Sequence, residues 1–244
     1  MILAAGLGTR LRPLTDTMPK ALVTVGGKPM LAHVIERLQA AGYERMVINV
    51  HHFADQIESY LRANQNFGLD IAISDEREQL LDTGGALKKA APLFDPDEPI
   101  LIHNVDILDN VDYEWLHRQH LSEEDAVLLV SRRQTKRYLL FDNAMRLMGW
   151  TNTETGEVKS PYPWLRHGKD CQPELHALAF SGIHSFSPRL FKLMDRFPER
   201  FPIIDFYLST CHRSRIVGVE KDDLKVTDVG KRDTLEKANR QSLL

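Results

Sequence analysis

Leu3-Ala4-Ala5-Gly6-Leu7-Gly8-Thr9-Arg10-Leu11-Arg12-Pro13-Leu14-Thr15, followed by Pro19-Lys20 and Gly26-Gly27-Lys28-Pro29-Met30-Leu31, is the stretch whose reading decides the fold. An apolar run from Met1 to Ala5 passes directly into small residues and two glycines. Such a run reads as a buried strand, and a loop of small residues leaves its backbone amides uncovered and able to turn toward an anion. Arg10 and Lys20 add fixed positive charge beside it. This combination suits a polyphosphate. Two other glycine-loop designs fail on spacing. A dinucleotide fingerprint needs a third glycine three residues after the second and an acidic residue about 20 positions on. Here Leu11 holds the third position, and the next strand, Arg45 to Val50, carries Asn49 near its end. A P-loop needs Gly-Lys followed by Ser or Thr, whereas Pro29 follows Lys28.

Outward from this stretch the pattern alternates. Met30, Leu31, Val34, Ile35 and Leu38 recur at helical spacing after Pro29 and stop at Gly42, which predicts an amphipathic helix. Arg45–Val50 reads as a strand, Phe53–Ala63 as a helix and Leu69–Ile73 as a third strand, so the first part is a parallel sheet with helical crossovers. A helix is expected to open at Asp82 or Thr83 as N-cap and run toward Pro92. Pro99–Ile102 is the next strand and delivers His103-Asn104-Val105-Asp106 at its carboxyl end. Ligands in open α/β sheets bind beyond such ends. After Asp125, the short apolar runs 126–130, 138–141 and 145–148 predict an antiparallel excursion. The polar span 151–174, flanked by Trp150 and containing Trp164, reads as a lid or binding loop, or as a disordered one. Leu175–Phe186 resumes as a strand with Ser181-Gly182 inside it. Helices follow at Pro188–Met194 and Pro202–Cys211, a strand at Arg215–Val219 and a closing helix at Lys231–Asn239. No internal repeat and no hexapeptide array appears.

The signature residues, together with Leu81-Asp82-Thr83-Gly84-Gly85, Asn104-Val105-Asp106, Phe180-Ser181-Gly182 and Asp228-Val229-Gly230, resemble the motifs of the sugar-1-phosphate nucleotidyltransferases over nearly the whole chain. Within that family the pattern is most similar to N-acetylmuramate-1-phosphate uridylyltransferase-like and mannose-1-phosphate guanylyltransferase-like members. The resemblance implies a Rossmann-like α/β fold with a mainly parallel mixed sheet, helices on both faces and a small antiparallel sugar-binding portion. It also implies one domain over 1–244, with a nucleotide-binding half at 1–110 and a sugar-phosphate-binding half at 111–244.

The implied reaction is attack of a sugar-1-phosphate oxygen on the α-phosphorus of a nucleoside triphosphate, with release of pyrophosphate. UTP is the first choice and GTP the second. A protein that binds nucleotide sugars without turnover and a Rossmann-type oxidoreductase are the competing readings. Positioning and charge neutralisation carry such chemistry. Arg10 suits the β- and γ-phosphates because a guanidinium bonds two oxygens at once, and Lys20 suits the α-phosphate and sugar phosphate. Leu3, Ala4, Ala5, Gly6, Gly8 and Thr9 form the nucleotide loop. Gly84 belongs to the implied base-binding turn. Glu76 either accepts a hydrogen bond from a base N–H or is an ordinary surface carboxylate. Asn49, Asn104 and Gly182 fall on the sugar side. Asp106 and Asp228 are the implied ligands of one Mg²⁺, and their mutual repulsion predicts that Asn at either position leaves folding intact or improves it. Val105 stands where relatives commonly have glycine, which predicts a local backbone without positive φ.

With 31 Lys and Arg against 34 Asp and Glu and a net charge of -3, no basic excess asks for nucleic acid. No apolar run approaches the length of a membrane span and the start lacks a signal peptide. Cys171 and Cys211 have no metal-ligand spacing and read as reduced thiols. The expectation is a cytoplasmic monomer or small homo-oligomer acting on small molecules.

Overall fold

The computed structural model describes residues 1–121, 123–166 and 174–241. The chain opens with β1 (Ile2–Leu3), passes through single turns at Thr9–Leu11 and Lys20–Leu22, and forms the hairpin β2 (Thr24–Val25) and β3 (Lys28–Pro29). Then come α1 (Met30–Ala40), β4 (Arg45–Val50), α2 (Ala54–Ala63), β5 (Asp70–Asp75), α3 (Asp82–Ala90) and β6 (Ile100–Asn104). β7 (Ile107–Asp109) and α4 (Tyr113–Gln119) lead into β8 (Ala126–Ser131), β9 (Arg137–Phe141), β10 (Leu147–Asn152), β11 (Val158–Lys159) and α5 (Pro163–Arg166). The last part holds β12 (His176–Phe186), α6 (Phe191–Met194), α7 (Ile203–Thr210), β13 (Ile216–Glu220), β14 (Val226–Asp228) and α8 (Arg232–Gln241).

β5, β4, β1 and β6 lie side by side and parallel. The chain therefore moves outward from β1 through β4 and β5, then returns to the other side of β1 with β6. That reversal opens a crevice at the carboxyl ends of β1 and β6, where open α/β sheets place ligands. β12 joins β6 antiparallel, and β8 and β13 continue the sheet beyond it. The amino-terminal part of β12 projects past the end of β6 and pairs with β9, which carries β10 and β11. This is the antiparallel excursion that the short apolar runs predicted.

Side-chain alternation distributes the core over both faces of the sheet. Met46, Ile48 and Val50 point with Leu101, Val127 and Leu129 toward α1, α2 and Leu116 of α4. Val47, Ile100, Ile102, Leu128 and Val130 point the other way, toward Leu87 of α3 and Phe206 and Tyr207 of α7. Both helical faces are legible from the 3.6-residue spacing.

Two local expectations change. The N-cap of α3 is Leu81, without a side-chain bond. Asp82 takes φ 63° and accepts the Thr83 amide, while the Thr83 hydroxyl accepts the Ile203 amide at 2.9 Å. The span 151–166 is not a featureless loop: it contains the end of β10, β11 and α5. Its remainder, 167–173, including Cys171, lies outside the described residues. Cys211 is buried and unbonded to sulfur, with its thiol pushed up to about 12 by burial. Among the described residues no helix is long and apolar enough to cross a membrane.

Candidate active site

A cleft of about 330 Å³ opens at the β1/β6 crevice, lined by Leu3, Ala5, Gly6, Arg10, Lys20 and Asp106 on one side and by Asn49, Glu76, Leu80, Asp82, Thr83 and Asn104 elsewhere. The loop after β1 supplies its anion-facing part. Among the described residues the amides of Ala5, Gly6 and Leu7 donate to no protein acceptor, so they remain available to a ligand. Gly8 adopts φ +65°, and a Cβ there would stand 2.7 Å from Thr15 Cγ2 and 3.0 Å from Lys20 Cβ. This close packing, closed by the Thr15 hydroxyl on the Gly8 carbonyl at 2.8 Å, sets Lys20 beside the loop. Gly8 and Thr9 thus shape the loop without lining the cleft.

Four charges converge at its floor. Lys20 Nζ lies 2.7 Å from Asp106 Oδ2. Arg10 spans both acids, at 3.6 Å from Asp106 Oδ2 and 3.3 Å from Asp228 Oδ2. The lysine and Asp106 side chains are only 13% and 9% exposed, whereas Arg10 is 51% exposed. Lys20 is therefore fixed, and Arg10 is able to move toward a ligand. Each carboxylate faces a cation, so the repulsion expected from sequence is already neutralised.

Tertiary pairing brings the two acids together. β7 and β14 pair antiparallel, with Asp228 opposite Ile107, and the Val229 amide donates to the Asp106 carbonyl at 2.9 Å. Gly230 completes the arrangement: a Cβ there would lie 2.3 Å from Asp106 Oδ2, 2.9 Å from Asp228 Oδ1 and 3.1 Å from Arg10 Nη2. Those oxygens consequently lie within about 5 Å of each other, around a space that only glycine leaves open, near the span of two oxygens on one small divalent cation. Two carboxylates, with phosphate and water completing the shell, match the usual donor set of Mg²⁺. Among the described residues no group of three or more His, Cys, Asp and Glu forms a metal cluster, so an all-protein cage is absent there and the acid pair fits a phosphate-bound ion better.

Behind this floor is a brace that spacing alone did not reveal. Asp109, three residues after Asp106, is 1% exposed on its side chain. It accepts from Tyr113 Oη at 2.9 Å, from Arg37 Nη2 at 3.2 Å and from the Val111 amide at 2.8 Å, and contacts His103 Nε2 at 3.0 Å. Burial raises the Asp109 carboxyl, but the His103 bond and the charges of His103 and Arg37 more than offset this and leave it below the ordinary value.

The base-side residues fall differently from their sequence reading. Glu76 is fully buried. One of its oxygens accepts Asn49 Nδ2 at 2.7 Å and the other the Leu81 amide at 3.0 Å. Burial raises its carboxyl despite these two bonds. It braces β4 against the loop before α3, so the surface-carboxylate alternative is excluded and its oxygens already have partners. Asn49 is engaged as well, since its Oδ1 accepts the Ala4 amide at 2.7 Å. Its Oδ1 end therefore ties the chain just after β1 to β4, and its Nδ2 end ties β4 to Glu76 just after β5. Gly84 does not face the cleft. Its amide donates to the Phe201 carbonyl at 2.9 Å, and a Cβ there would meet Phe201 Cε2 at 2.3 Å. The glycine allows close packing of α3 against the segment before α7, while Leu80, Asp82 and Thr83 present the cleft surface. Gly182 is likewise a packing position. At φ +82° it sits where the register of β12 shifts, and a Cβ would lie 2.7 Å from Asn104 Nδ2. Asn104 itself lines the cleft. Val105 is fully buried, has no positive φ, and donates its amide to the Leu3 carbonyl at 3.2 Å, as the branched side chain predicts.

Residues 1–138 match the family model described as nucleotidyl transferase. The chain belongs to that family. Across 226 residues it is 34% identical to N-acetylmuramate alpha-1-phosphate uridylyltransferase of Caulobacter vibrioides, covering 92% of this chain and 88% of the relative. A mannose-1-phosphate guanyltransferase of Gibberella zeae is 39% identical over 133 residues, 52% of this chain and 36% of that protein. In fold, the crystal structure of HddC from Yersinia pseudotuberculosis superimposes with a TM-score of 0.78 at 20% identity, covering 99% and 97% of the two chains. Both curated relatives are sugar-1-phosphate nucleotidyltransferases by name, and this member is an enzyme of that class.

Proposed function

We propose that this nucleotidyltransferase condenses UTP with a sugar-1-phosphate, giving a UDP-sugar and pyrophosphate, with Mg²⁺ held by Asp106 and Asp228. The observation that carries the reading is the convergence of Arg10, Lys20, Asp106 and Asp228 beneath unoccupied loop amides at the crevice between β1 and β6. The choice of UTP is supported by the relative that aligns over most of both chains, whose name specifies uridylyl transfer.

A sugar-phosphate oxygen attacks the α-phosphorus, a new P–O bond forms, and the bond to the bridging oxygen breaks as pyrophosphate leaves. The amides of Ala5, Gly6 and Leu7 hold phosphate oxygens. Arg10, on its exposed arm, takes the β- and γ-phosphates and the charge that develops on the leaving group. Lys20 draws the α-phosphate and the sugar phosphate together, offsetting the repulsion of two anions at bonding distance. Asn104 faces the sugar. When bound, Mg²⁺ supplies further charge neutralisation at the phosphate oxygens. No nucleophilic side chain is required.

The test is pyrophosphate release across UTP, GTP, dTTP and CTP, each with several sugar-1-phosphates. Turnover that is fastest with UTP supports the reading. GTP in first place moves it to the guanylyl branch, and nucleotide binding without release makes the chain a sensor. Lys20→Ala should lower kcat at least 100-fold, as loss of a preorganised charge at a phosphoryl centre does.

A further inference from the structure

A second cavity, of about 290 Å³, lies on the same edge of the sheet as the cleft, at the carboxyl ends of β8 and β13. Ser131, Arg132, Arg133, Glu220, Lys221 and Val226 contribute to its wall. β8 and β6 both run antiparallel to β12, so both deliver their carboxyl ends to one side. Two short pieces of strand measure how near the cavities are. Val226 lines the second cavity and begins β14, while Asp228 ends that strand in the catalytic floor. Similarly, the Phe180 carbonyl accepts Arg133 Nη2 at 2.9 Å, and two residues on, Gly182 abuts Asn104. Two strand residues span about 7 Å, close to the width of a pyranose ring with its exocyclic groups.

The charges in this second cavity are unequal. Arg132 is bound by Glu220 at 2.9 Å, and Lys221 by Asp223 at 3.1 Å. Arg133 has no carboxylate partner among the described residues, and its single protein bond, to Phe180, fixes one nitrogen and leaves the other donors of the guanidinium unspent. Such a tethered guanidinium is preorganised for a carboxylate. Asp222, also on the wall, rejects an anion placed beside it and suits a sugar hydroxyl. The two groups give the cavity an acidic-substituent end and a hydroxyl end.

We infer that this cavity is the subsite for a substituent of the sugar-1-phosphate, that the substituent carries a carboxylate, and that Arg133 is the residue that selects it. The inference rests on the proposed transferase reading and names the substrate class for it. The sugar's phosphate reaches Lys20 while its acidic arm reaches Arg133.

The test compares N-acetylmuramate-1-phosphate with N-acetylglucosamine-1-phosphate, which lacks the lactyl carboxylate, in the intact protein and in Arg133→Gln and Arg133→Lys. Arg133→Gln should lower kcat/KM for the muramate substrate about 10- to 100-fold, mainly through KM, as loss of one charge-assisted bond does. The glucosamine substrate should change less than threefold, and Arg133→Lys should recover part of the loss. Equal losses on both sugars would make Arg133 a structural tether of β12 and overturn the inference, as would a parent protein that shows no preference for the acidic sugar. If neither sugar turns over with any nucleotide, the transferase reading fails. Calorimetric binding of N-acetylmuramate-1-phosphate to the parent and to Arg133→Gln then decides the subsite on its own: equal affinity, or none, refutes it.

Discussion

Adding a single methyl group at Gly230 should disable the enzyme while leaving it folded. In Gly230→Ala the new Cβ would stand 2.3 Å from Asp106 Oδ2 and 2.9 Å from Asp228 Oδ1, against an ordinary carbon–oxygen separation of about 3.3 Å. Asp106 must retreat by about 1 Å, and displacement on that scale at a reacting centre costs on the order of 100-fold in rate, or about 2.7 kcal/mol of transition-state stabilisation. Its backbone does not resist the change, because Gly230 is not among the glycines with positive φ. Alanine in a compatible conformation stabilises by about 0.4–1 kcal/mol through the unfolded state, which offsets part of the local crowding. Pyrophosphate release should therefore fall about 100-fold with a raised Mg²⁺ requirement, while Tm moves by no more than about 3 °C. Turnover within threefold of the parent, with an unchanged Mg²⁺ dependence, would refute both the crowding argument and the shared-ion assignment.

Gly84→Ala separates a packing glycine from a base-contacting one. The clash with Phe201 should cost about 1–3 kcal/mol and lower Tm by roughly 3–8 °C, whereas an unshifted Tm with a raised KM for nucleotide would restore the base contact. Asp106→Asn should destabilise, contrary to the sequence expectation, because it deprives the 13%-exposed Lys20 side chain of its charged partner; thermal melting should show a loss of about 1–3 kcal/mol, and a variant as stable as the parent would show that this ion pair contributes nothing. Acid sensitivity should trace in part to His184. Its ring is buried, neither nitrogen has a hydrogen-bond partner among the described residues, and burial lowers its pKa from 6.5 to about 3. The folded state therefore resists protonation: the stability from the neutral ring is fully present above pH 6.5 and falls as pH drops toward 3, by about 1.4 kcal/mol per unit. Melting curves from pH 7.5 to 5 should show a shallower decline in His184→Leu than in the parent; parallel curves would remove His184 as the source.

The sequence by itself determined the alternation of strands and helices in the first hundred residues, because each element buries a continuous face whose period is written in the residues. Residue composition likewise marked the loop after β1 as a candidate for anion binding, since small residues leave amides uncovered. The charged residues Arg10, Lys20, Asp106 and Asp228 were legible from motifs as candidates for the site. Their convergence was not, because it depends on β14 pairing with β7 across more than a hundred residues of chain. Chemically identical residues also divided by environment. Glu76 and Asn49 line the cleft, but the fold also buries them and engages their polar atoms with one another, Ala4 and Leu81, which no sequence spacing shows. Glycines divided in the same way: Gly84 admits Phe201, Gly182 admits Asn104 and Gly230 opens the space between two acids. A missing side chain carries no sequence signal for what approaches it, and only the packed neighbours decide.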